Sequence, residues 1–133
     1  MSVQKVMTGA LVILIVCVTL MSNPLRWSKE SIKARMLTLI PIGTSLEEVI
    51  SVIEDNSKWK LLYSVRNYGY FCRNGIPYRS APINDDYAVG VKSIEVYLGE
   101  YRAVFATGVT VFYGFDEDSN LVDIAVLKET DSL

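Results

Sequence analysis

Residues 108–128 carry the pattern that most constrains the fold of this chain. Apolar side chains alternate with other residues over 109–115 and again over 122–126, and a polar segment at 116–120 separates the two halves. Alternation with a period of two predicts β-strands, and a cluster of Asp, Ser and Asn predicts the turn between them. Because an isolated two-stranded hairpin is only marginally stable in water, further strands or helices must cover its apolar face.

Two segments ahead of the hairpin have the spacing of amphipathic helices. Residues 28–39 begin with a serine, a favourable N-cap, and place isoleucine, methionine and leucine side chains on one face. Residues 45–56 begin with a capping box formed by Ser45 and Glu48, with Thr44 and Glu47 as a second possible register, and apolar residues then recur at helical spacing. Both helices therefore have an apolar face that can pack against the sheet.

Shorter alternating segments at residues 59–72 and 91–98 predict the remaining strands. Residues 101–106 predict an edge strand or a link into the hairpin. An antiparallel sheet of about four strands results, and the two helices pack on one of its faces. The sequence therefore predicts an α+β fold for a domain of residues 28–133, which follows an N-terminal membrane anchor or signal segment of residues 1–27.

Residues 73–90 match no regular pattern and predict a long loop. The segment contains an Asn-Gly pair, two prolines and a cluster of Asn and Asp, all typical of turns. Irregular segments of this length in compact domains are usually functional or disordered. Four of its side chains are of types common in protein interfaces, namely Arg73, Tyr78, Arg79 and Tyr87. We expect them to form a protein-binding surface; the alternative is that the tyrosines fold back onto the sheet.

Residues 6–25 contain no charged side chain, and twenty such residues are long enough to cross a bilayer as a helix. A cleaved signal peptide needs small residues before its cleavage site, which residues 19–23 do not offer convincingly. Lipidation of Cys17 is not expected, because Val16 precedes it where a small residue is required. We expect an uncleaved transmembrane anchor, with a cleaved signal peptide as the alternative.

Charge divides the chain into two parts. Residues 26–35 hold four basic side chains and one acidic side chain, whereas residues 36–133 hold eight basic and fourteen acidic side chains. The basic segment leans toward a cytoplasmic domain by the positive-inside rule, but short N-terminal anchors usually leave their N-terminus inside. We therefore expect the domain on the extracytoplasmic side. An acidic domain disfavours nucleic acid, so the aromatic residues Tyr68, Tyr70 and Phe71 are expected to pack in the sheet.

The sequence predicts no catalytic or metal site. It has no histidine, which is the commonest general base and a frequent metal ligand. Aspartates at 116 and 118 fit the start of a calcium loop, but leucines occupy the later positions that require Gly and Glu. Cys72 has no histidine to activate it. We expect no enzymatic activity and no cofactor; acid–base chemistry by Asp85 and Asp86 is the remaining catalytic alternative.

Two short motifs resemble those of a known family. Residues 42–49 read IGTSLEEV, and residues 112–122 combine FYGFD with the segment NLV after the turn. Within the order helix, helix and sheet, they resemble the SmpA/OmlA (BamE) family and the related fold of β-lactamase inhibitor protein, over about residues 28–128. The resemblance implies a small envelope or secreted protein without catalytic activity that binds other proteins. Its outer-membrane members are lipoproteins, whereas this chain lacks a usable lipobox.

These observations predict a non-catalytic, membrane-anchored envelope protein whose small α+β domain binds another protein. Its partners would be the membrane, through residues 6–25, and a protein that contacts the 73–90 loop and the exposed face of the sheet. The alternative is a secreted inhibitor or immunity-type protein that is released after signal cleavage.

Overall fold

A computed structural model of the chain describes residues 3–21, 23–79 and 87–131. The helices in these residues are α1 (Val3–Met21), α2 (Lys29–Leu39) and α3 (Leu46–Asp55), with a 3-10 turn at Pro24–Arg26. The strands are β1 (Lys60–Leu61), β2 (Tyr70–Arg73), β3 (Ile76–Tyr78), β4 (Tyr87–Val89), β5 (Lys92–Arg102), β6 (Ala106–Phe115) and β7 (Leu121–Thr130). The predicted α+β class is confirmed.

The strands form two antiparallel sheets. The main sheet has four strands in the order β1-β5-β6-β7, and the small sheet has three strands in the order β3-β2-β4. The main sheet corresponds to the predicted sheet of about four strands. The predicted edge strand at residues 101–106 is instead divided between β5 and β6, which continue as a hairpin to the pair Arg102–Ala106.

The predicted C-terminal hairpin is formed by β6 and β7, which pair antiparallel along most of their length. Their turn is organised by the carboxylate of Asp116. Its Oδ1 atom accepts hydrogen bonds from the backbone N–H groups of Asp118 and Asn120, at 3.0 and 2.9 Å. The aspartate therefore closes a turn, as the Asp- and Asn-rich composition of the segment predicts.

Both predicted amphipathic helices have the serine caps that the sequence indicates. At α2 the Ser28 hydroxyl oxygen accepts from the Ser31 N–H at 3.1 Å, and at α3 the Ser45 hydroxyl oxygen accepts from the Glu48 N–H at 3.3 Å. Each bond satisfies one of the N–H groups that have no partner in the first turn of a helix. The caps therefore define where both helices begin.

The main core lies between helices α2 and α3 and one face of the main sheet. Tyr113 and Phe115 on β6 are its largest fully buried side chains. Burying an aromatic or branched aliphatic side chain stabilises a fold by roughly 1.5–3 kcal/mol, so this layer supplies most of the apolar stabilisation. The helices, with the C-cap residue of α2, contribute the buried residues Ile32, Met36, Ile40, Val49 and Ile53. The sheet contributes Ile94, Val96, Leu98, Val109, Val111, Leu121, Ile124 and Val126.

The opposite face of the main sheet, expected above to be exposed and to contact a partner, is instead covered by the small sheet, which the sequence does not predict. The expectation of an irregular loop over residues 73–90 is therefore wrong for β3 and β4. The signal was the pair Asn74-Gly75, whose φ angles of 50° and 75° form a two-residue hairpin turn between β2 and β3. A second, smaller core joins the sheets through Tyr70, Cys72, Phe112 and Ala125.

The N-terminal region is connected to the domain through the 3-10 turn. The described side chains of α1, residues 3–15, are exposed. In contrast, Leu25 and Trp27 pack against the main core. Within the described part of the chain, no helix has both the length and the apolar character needed to cross a membrane.

Candidate functional site

The most unusual residue between the two sheets is a buried acid, Glu95 on β5, whose side chain is only 1% exposed. Burying an unpaired carboxylate is strongly unfavourable, so a residue in this position requires charged partners. Two arginines provide them. Arg66 Nη1 lies 2.8 Å from Glu95 Oε1, and Arg79 Nε lies 3.1 Å from Oε2, so each carboxylate oxygen has its own guanidinium.

Arg79 extends this network to the neighbouring strands. It also forms an ion pair with Glu129 on β7, and its Nη2 atom donates to the hydroxyl of Thr110 at 3.3 Å. Its guanidinium carbon lies 5.7 Å from the centre of the Phe112 ring. Burial by itself would lower the pKa of Arg79, but the hydrogen bonds and charges of Glu129 and Glu95 outweigh it, and the net pKa is raised.

Arg66 connects the same acid to the protein surface. Its guanidinium carbon lies 4.6 Å from the ring centre of Tyr63 and 5.6 Å from that of Tyr68. The backbone of Arg66 exchanges hydrogen bonds of 2.9 and 3.1 Å with Ser93, so the segment follows the edge of β5. Cation–π contacts at partly exposed sites contribute about 0.5–1 kcal/mol, and here they also hold the tyrosines beside the arginine.

Further aromatic rings continue this surface across the small sheet. The rings of Tyr68 and Phe71 are stacked, with centres 5.9 Å apart and planes 17° apart. The Phe71 ring also contacts that of Tyr78, with ring centres 6.4 Å apart. We call the exposed and half-exposed group Tyr63, Arg66, Tyr68, Phe71, Tyr78 and Arg79 the aromatic–arginine surface. A shallow cavity of about 350 Å³ opens within it and reaches Phe112.

The structure brings two of the four predicted site residues into this surface. Tyr78 pairs with Phe71 across the small sheet, and Arg79 holds Glu95. Arg73 is exposed at the end of β2, whereas Tyr87 begins β4, where it pairs with Cys72 and is 53% exposed. Their role in binding stays a prediction.

Sequence reasoning missed Glu95, Arg66 and Tyr63 as parts of a site. The expectation that Tyr68 packs in the sheet is also wrong, because Tyr68 lies before β2 and is 48% exposed. Glu95 alternates with the core-facing row of β5, so the pattern suggested that it faces solvent. Its partners lie 29 and 16 residues away in the chain, beyond the reach of any local spacing rule. The two aspartates named as a catalytic alternative, at positions 85 and 86, lie outside the described residues.

Two observations concern the reactive groups among the described residues. Within the described ranges, no three His, Cys, Asp or Glu side chains are grouped so that they could hold a metal ion. Cys72 is 2% exposed, and burial raises the pKa of its thiol, although a hydrogen bond with Tyr87 opposes the change. This thiol therefore stays protonated at neutral pH, the form that is not nucleophilic.

Two buried tyrosines are expected to make the fold less stable at alkaline pH. Burial, reinforced by the charge of Asp123, raises the pKa of Tyr70 well above 10, and burial raises the pKa of Tyr113 as well. In the unfolded chain both tyrosines ionise near pH 10, whereas in the folded state both stay protonated. Above pH 10 the folded state therefore binds more protons than the unfolded state, and the free energy of unfolding falls as the pH rises. We expect a loss of up to about 1.4 kcal/mol per pH unit from each residue.

Urea unfolding between pH 8 and pH 11.5 measures this loss. The variant Tyr113→Phe removes one of the two titrating groups and keeps the ring, so its stability should fall less steeply with pH than that of the parent protein. Identical slopes for the two proteins would contradict the assignment of this pH dependence to Tyr113.

The two motifs that resemble the SmpA/OmlA family are in contact in the fold. The Gly43 N–H donates to the Leu121 carbonyl at 2.8 Å, and the Leu121 N–H donates to the Thr44 carbonyl at 2.9 Å. The Leu46 N–H also donates to the Ser119 carbonyl at 2.8 Å, which fixes the start of α3 to the β6–β7 turn. Comparisons of the chain with models of protein families, with curated proteins and with solved structures found no match.

Proposed function

We propose that this chain is a non-catalytic envelope protein that is attached to a membrane through residues 6–25 and binds another protein through the aromatic–arginine surface. The observation that carries the proposal is the network around Glu95, which holds Arg66 beside the exposed rings of Tyr63 and Tyr68 and holds Arg79 at the edge of the same surface. Tyrosine and arginine are the residue types that most often dominate the energy of protein interfaces.

Preorganisation is the first argument for binding at this surface. Arg66 is held on one side by Glu95 and on the other by the rings of Tyr63 and Tyr68. A side chain that is already ordered loses less entropy when a partner binds, a saving of about 0.5–1.5 kcal/mol for each long side chain. The stacked rings of Tyr68 and Phe71 provide a flat apolar area with the same advantage.

Charge balance indicates the chemistry of the partner. The positive charges of Arg66 and Arg79 are offset by Glu95 and Glu129, so this part of the surface carries no large excess charge. Binding would then depend on burying aromatic rings and on short hydrogen bonds to the guanidinium groups. We therefore propose a partner that presents apolar side chains and carbonyl or carboxylate oxygens, with affinity that depends weakly on salt.

The N-terminal region supports attachment to a membrane. Residues 6–25 carry no charge, and the described part of α1 leaves its apolar side chains uncovered. Uncovered apolar side chains are favourable in lipid or against another apolar surface. We place the domain on the extracytoplasmic side, the orientation usual for short N-terminal anchors. Kinship with the SmpA/OmlA family is part of the proposal, supported by the contact between the two motifs that resemble it.

Replacing Tyr68 with alanine should weaken capture of the partner by at least about tenfold, because truncating a tyrosine that acts as an interface hot spot costs about 2 kcal/mol or more. Site-directed photocrosslinking measures this in membranes of the cells that make the protein. A photoreactive amino acid at Phe71, which lies in the surface, is expected to give one discrete crosslinked product, and Tyr68→Ala is expected to remove it.

The control position is Glu54, which is exposed on α3 and therefore lies on the helix-covered side of the main sheet. A photoreactive residue there should give no such product. The proposed surface is wrong if photoreactive residues at Glu54 and Phe71 yield the same crosslinked product. It is also wrong if Tyr68→Ala, with an unchanged melting temperature that shows it is folded, leaves the Phe71 product unchanged. Crosslinks only from a residue at Tyr87 would instead place the interface on β4.

A further inference from the structure

The hairpin between β5 and β6 ends in an apolar tip at residues 103–105. Val104 is 88% exposed, the largest exposed fraction among the large apolar side chains of the described residues, and Phe105 is 43% exposed. The backbone of the tip is ordered by a hydrogen bond of 3.2 Å from the Ala103 N–H to the Phe105 carbonyl. Exposing a valine and a phenylalanine together on a tight turn is unfavourable in water unless another apolar phase covers them.

The tip lies beside the end of the N-terminal region. Arg26 ends the 3-10 turn Pro24–Arg26 and is the first charged residue after the uncharged segment 6–25. Its Nη2 atom donates to the Arg102 carbonyl at 2.6 Å. Its guanidinium also lies 5.0 Å from the ring centre of Tyr101. Because Leu25 packs against the main core, the chain leaves the apolar segment at a fixed point next to the tip.

Aromatic and basic side chains surround this exit point. The Lys128 ammonium group donates to the Trp27 carbonyl at 2.6 Å and lies 5.2 Å from the ring centre of Tyr101. The guanidinium of Arg35 lies 5.3 Å from the centre of the Trp27 ring. Trp, Tyr, Lys and Arg are the residues that favour the boundary between lipid headgroups and hydrocarbon. The composition around the tip is therefore that of a membrane interface.

We propose that residues 103–105 insert into the interfacial region of the same membrane to which residues 6–25 attach. The inference rests on the membrane attachment proposed above and adds a second contact that orients the domain. A lipid surface is favoured over a protein partner because the tip adjoins the end of the apolar segment, which would bring the bilayer to within its reach. Two acids lie close to the tip: Glu100 pairs with Gly108, and the Asp131 N–H donates to the Ala106 carbonyl. Because they oppose the basic side chains at the exit point, we expect the contact to depend on apolar insertion more than on anionic lipid.

The test uses the full chain reconstituted into phosphatidylcholine vesicles. A fluorophore sensitive to polarity is attached to the cysteine of the variant Val104→Cys. The chain also carries Cys17→Ser, so that the label does not react there, and it keeps Cys72, which is buried. The matched control is Glu117→Cys in the β6–β7 turn, at the opposite end of β6. We expect the label at 104 to show a blue shift and to be quenched by nitroxide-labelled lipid, whereas the label at 117 shows neither change.

Flotation of the same vesicles on a density gradient separates the two proposals. If the chain floats with the vesicles but the label at 104 reports water, insertion of the tip is overturned and membrane attachment stands. If the chain does not float, membrane attachment is overturned and tip insertion with it. Equal quenching at 104 and 117 also overturns the proposal, because the contact would then not be specific to the tip. Thermal unfolding of both labelled variants verifies that they are folded.

Discussion

Replacing Glu95 with alanine should lower the free energy of unfolding by about 3 kcal/mol, because removing one member of a buried ion pair leaves its partners uncompensated. Glu95 is 1% exposed, whereas Arg66 and Arg79 remain 24% and 32% exposed. The two arginines therefore recover part of their hydration in the variant, which keeps the loss at the lower end of the usual 3–5 kcal/mol. Urea unfolding of the parent protein and of Glu95→Ala measures the difference. Both proteins are kept in the same detergent, because residues 6–25 are apolar.

The matched control for this prediction is Glu54→Ala on the exposed side of α3, which should change stability by less than about 0.5 kcal/mol. Glu95→Gln keeps the shape of the side chain and some of its hydrogen bonds but removes the charge. Its loss of free energy of unfolding should therefore lie between those of Glu54→Ala and Glu95→Ala. A loss below about 1 kcal/mol for Glu95→Ala would mean that the network contributes no more than an ordinary surface ion pair.

The same variant links stability to binding. Without Glu95, Arg66 has no acid to hold its guanidinium between Tyr63 and Tyr68. Partner capture by the aromatic–arginine surface should then weaken even at a temperature where the variant is fully folded. Glu95 would thus be a positioning residue for an interface that it does not itself reach.

Replacing Gly114 with alanine should lower the free energy of unfolding by about 2–3 kcal/mol, because added volume in a tightly packed contact forces backbone shifts. A Cβ atom at Gly114 would lie 2.6 Å from the carbonyl oxygen of Val89 and 3.1 Å from the Tyr70 ring. The Val89 carbonyl belongs to the backbone of β4, so it can move away only if β4 separates from the main sheet. The close approach of the two sheets therefore requires glycine at this position.

Gly108→Ala is the control, since it lies on the same strand and makes the same chemical change. A Cβ atom there would lie 3.2 Å from the outer ring of Tyr97, a partly exposed side chain that can rotate away. We expect a loss below about 1 kcal/mol for this control. Hydrogen exchange adds a spatial test: in Gly114→Ala the amides of β2 should exchange faster, while those of the main core keep their protection. Equal losses from both glycines would show that sheet docking does not depend on Gly114.

Both predictions concern the contact between the small sheet and the main sheet, which the sequence analysis missed. The Asn74-Gly75 pair predicts a turn, but the strands that flank it are only four and three residues long. Strands this short show too few alternations to be distinguished from a loop. The small sheet is stable because Tyr70 and Cys72 pack against Phe112 on the main sheet, an interaction that no local pattern describes.

The hairpin at residues 108–128 shows a smaller difference of the same kind. Alternation predicted that Val122 joins the apolar row of β7, but it is 38% exposed, whereas Leu121 is 1% exposed. A register shift next to Gly114 places Leu121 opposite Phe115. The shift is held by backbone hydrogen bonds from Leu121 to the segment before α3, at Gly43 and Thr44. The exact register was therefore determined by a contact distant in sequence.

By itself, the sequence determined the two helices with their serine caps, the long hairpin and the α+β class. Each of these depends on interactions within a few residues, so periodicity and capping rules suffice to find them. Only the tertiary structure decided that a second sheet covers the main sheet and that Glu95 is buried between Arg66 and Arg79. A charged residue in an alternating strand predicts exposure, because burying an unpaired charge is unfavourable. That expectation failed here because two distant arginines compensate the charge.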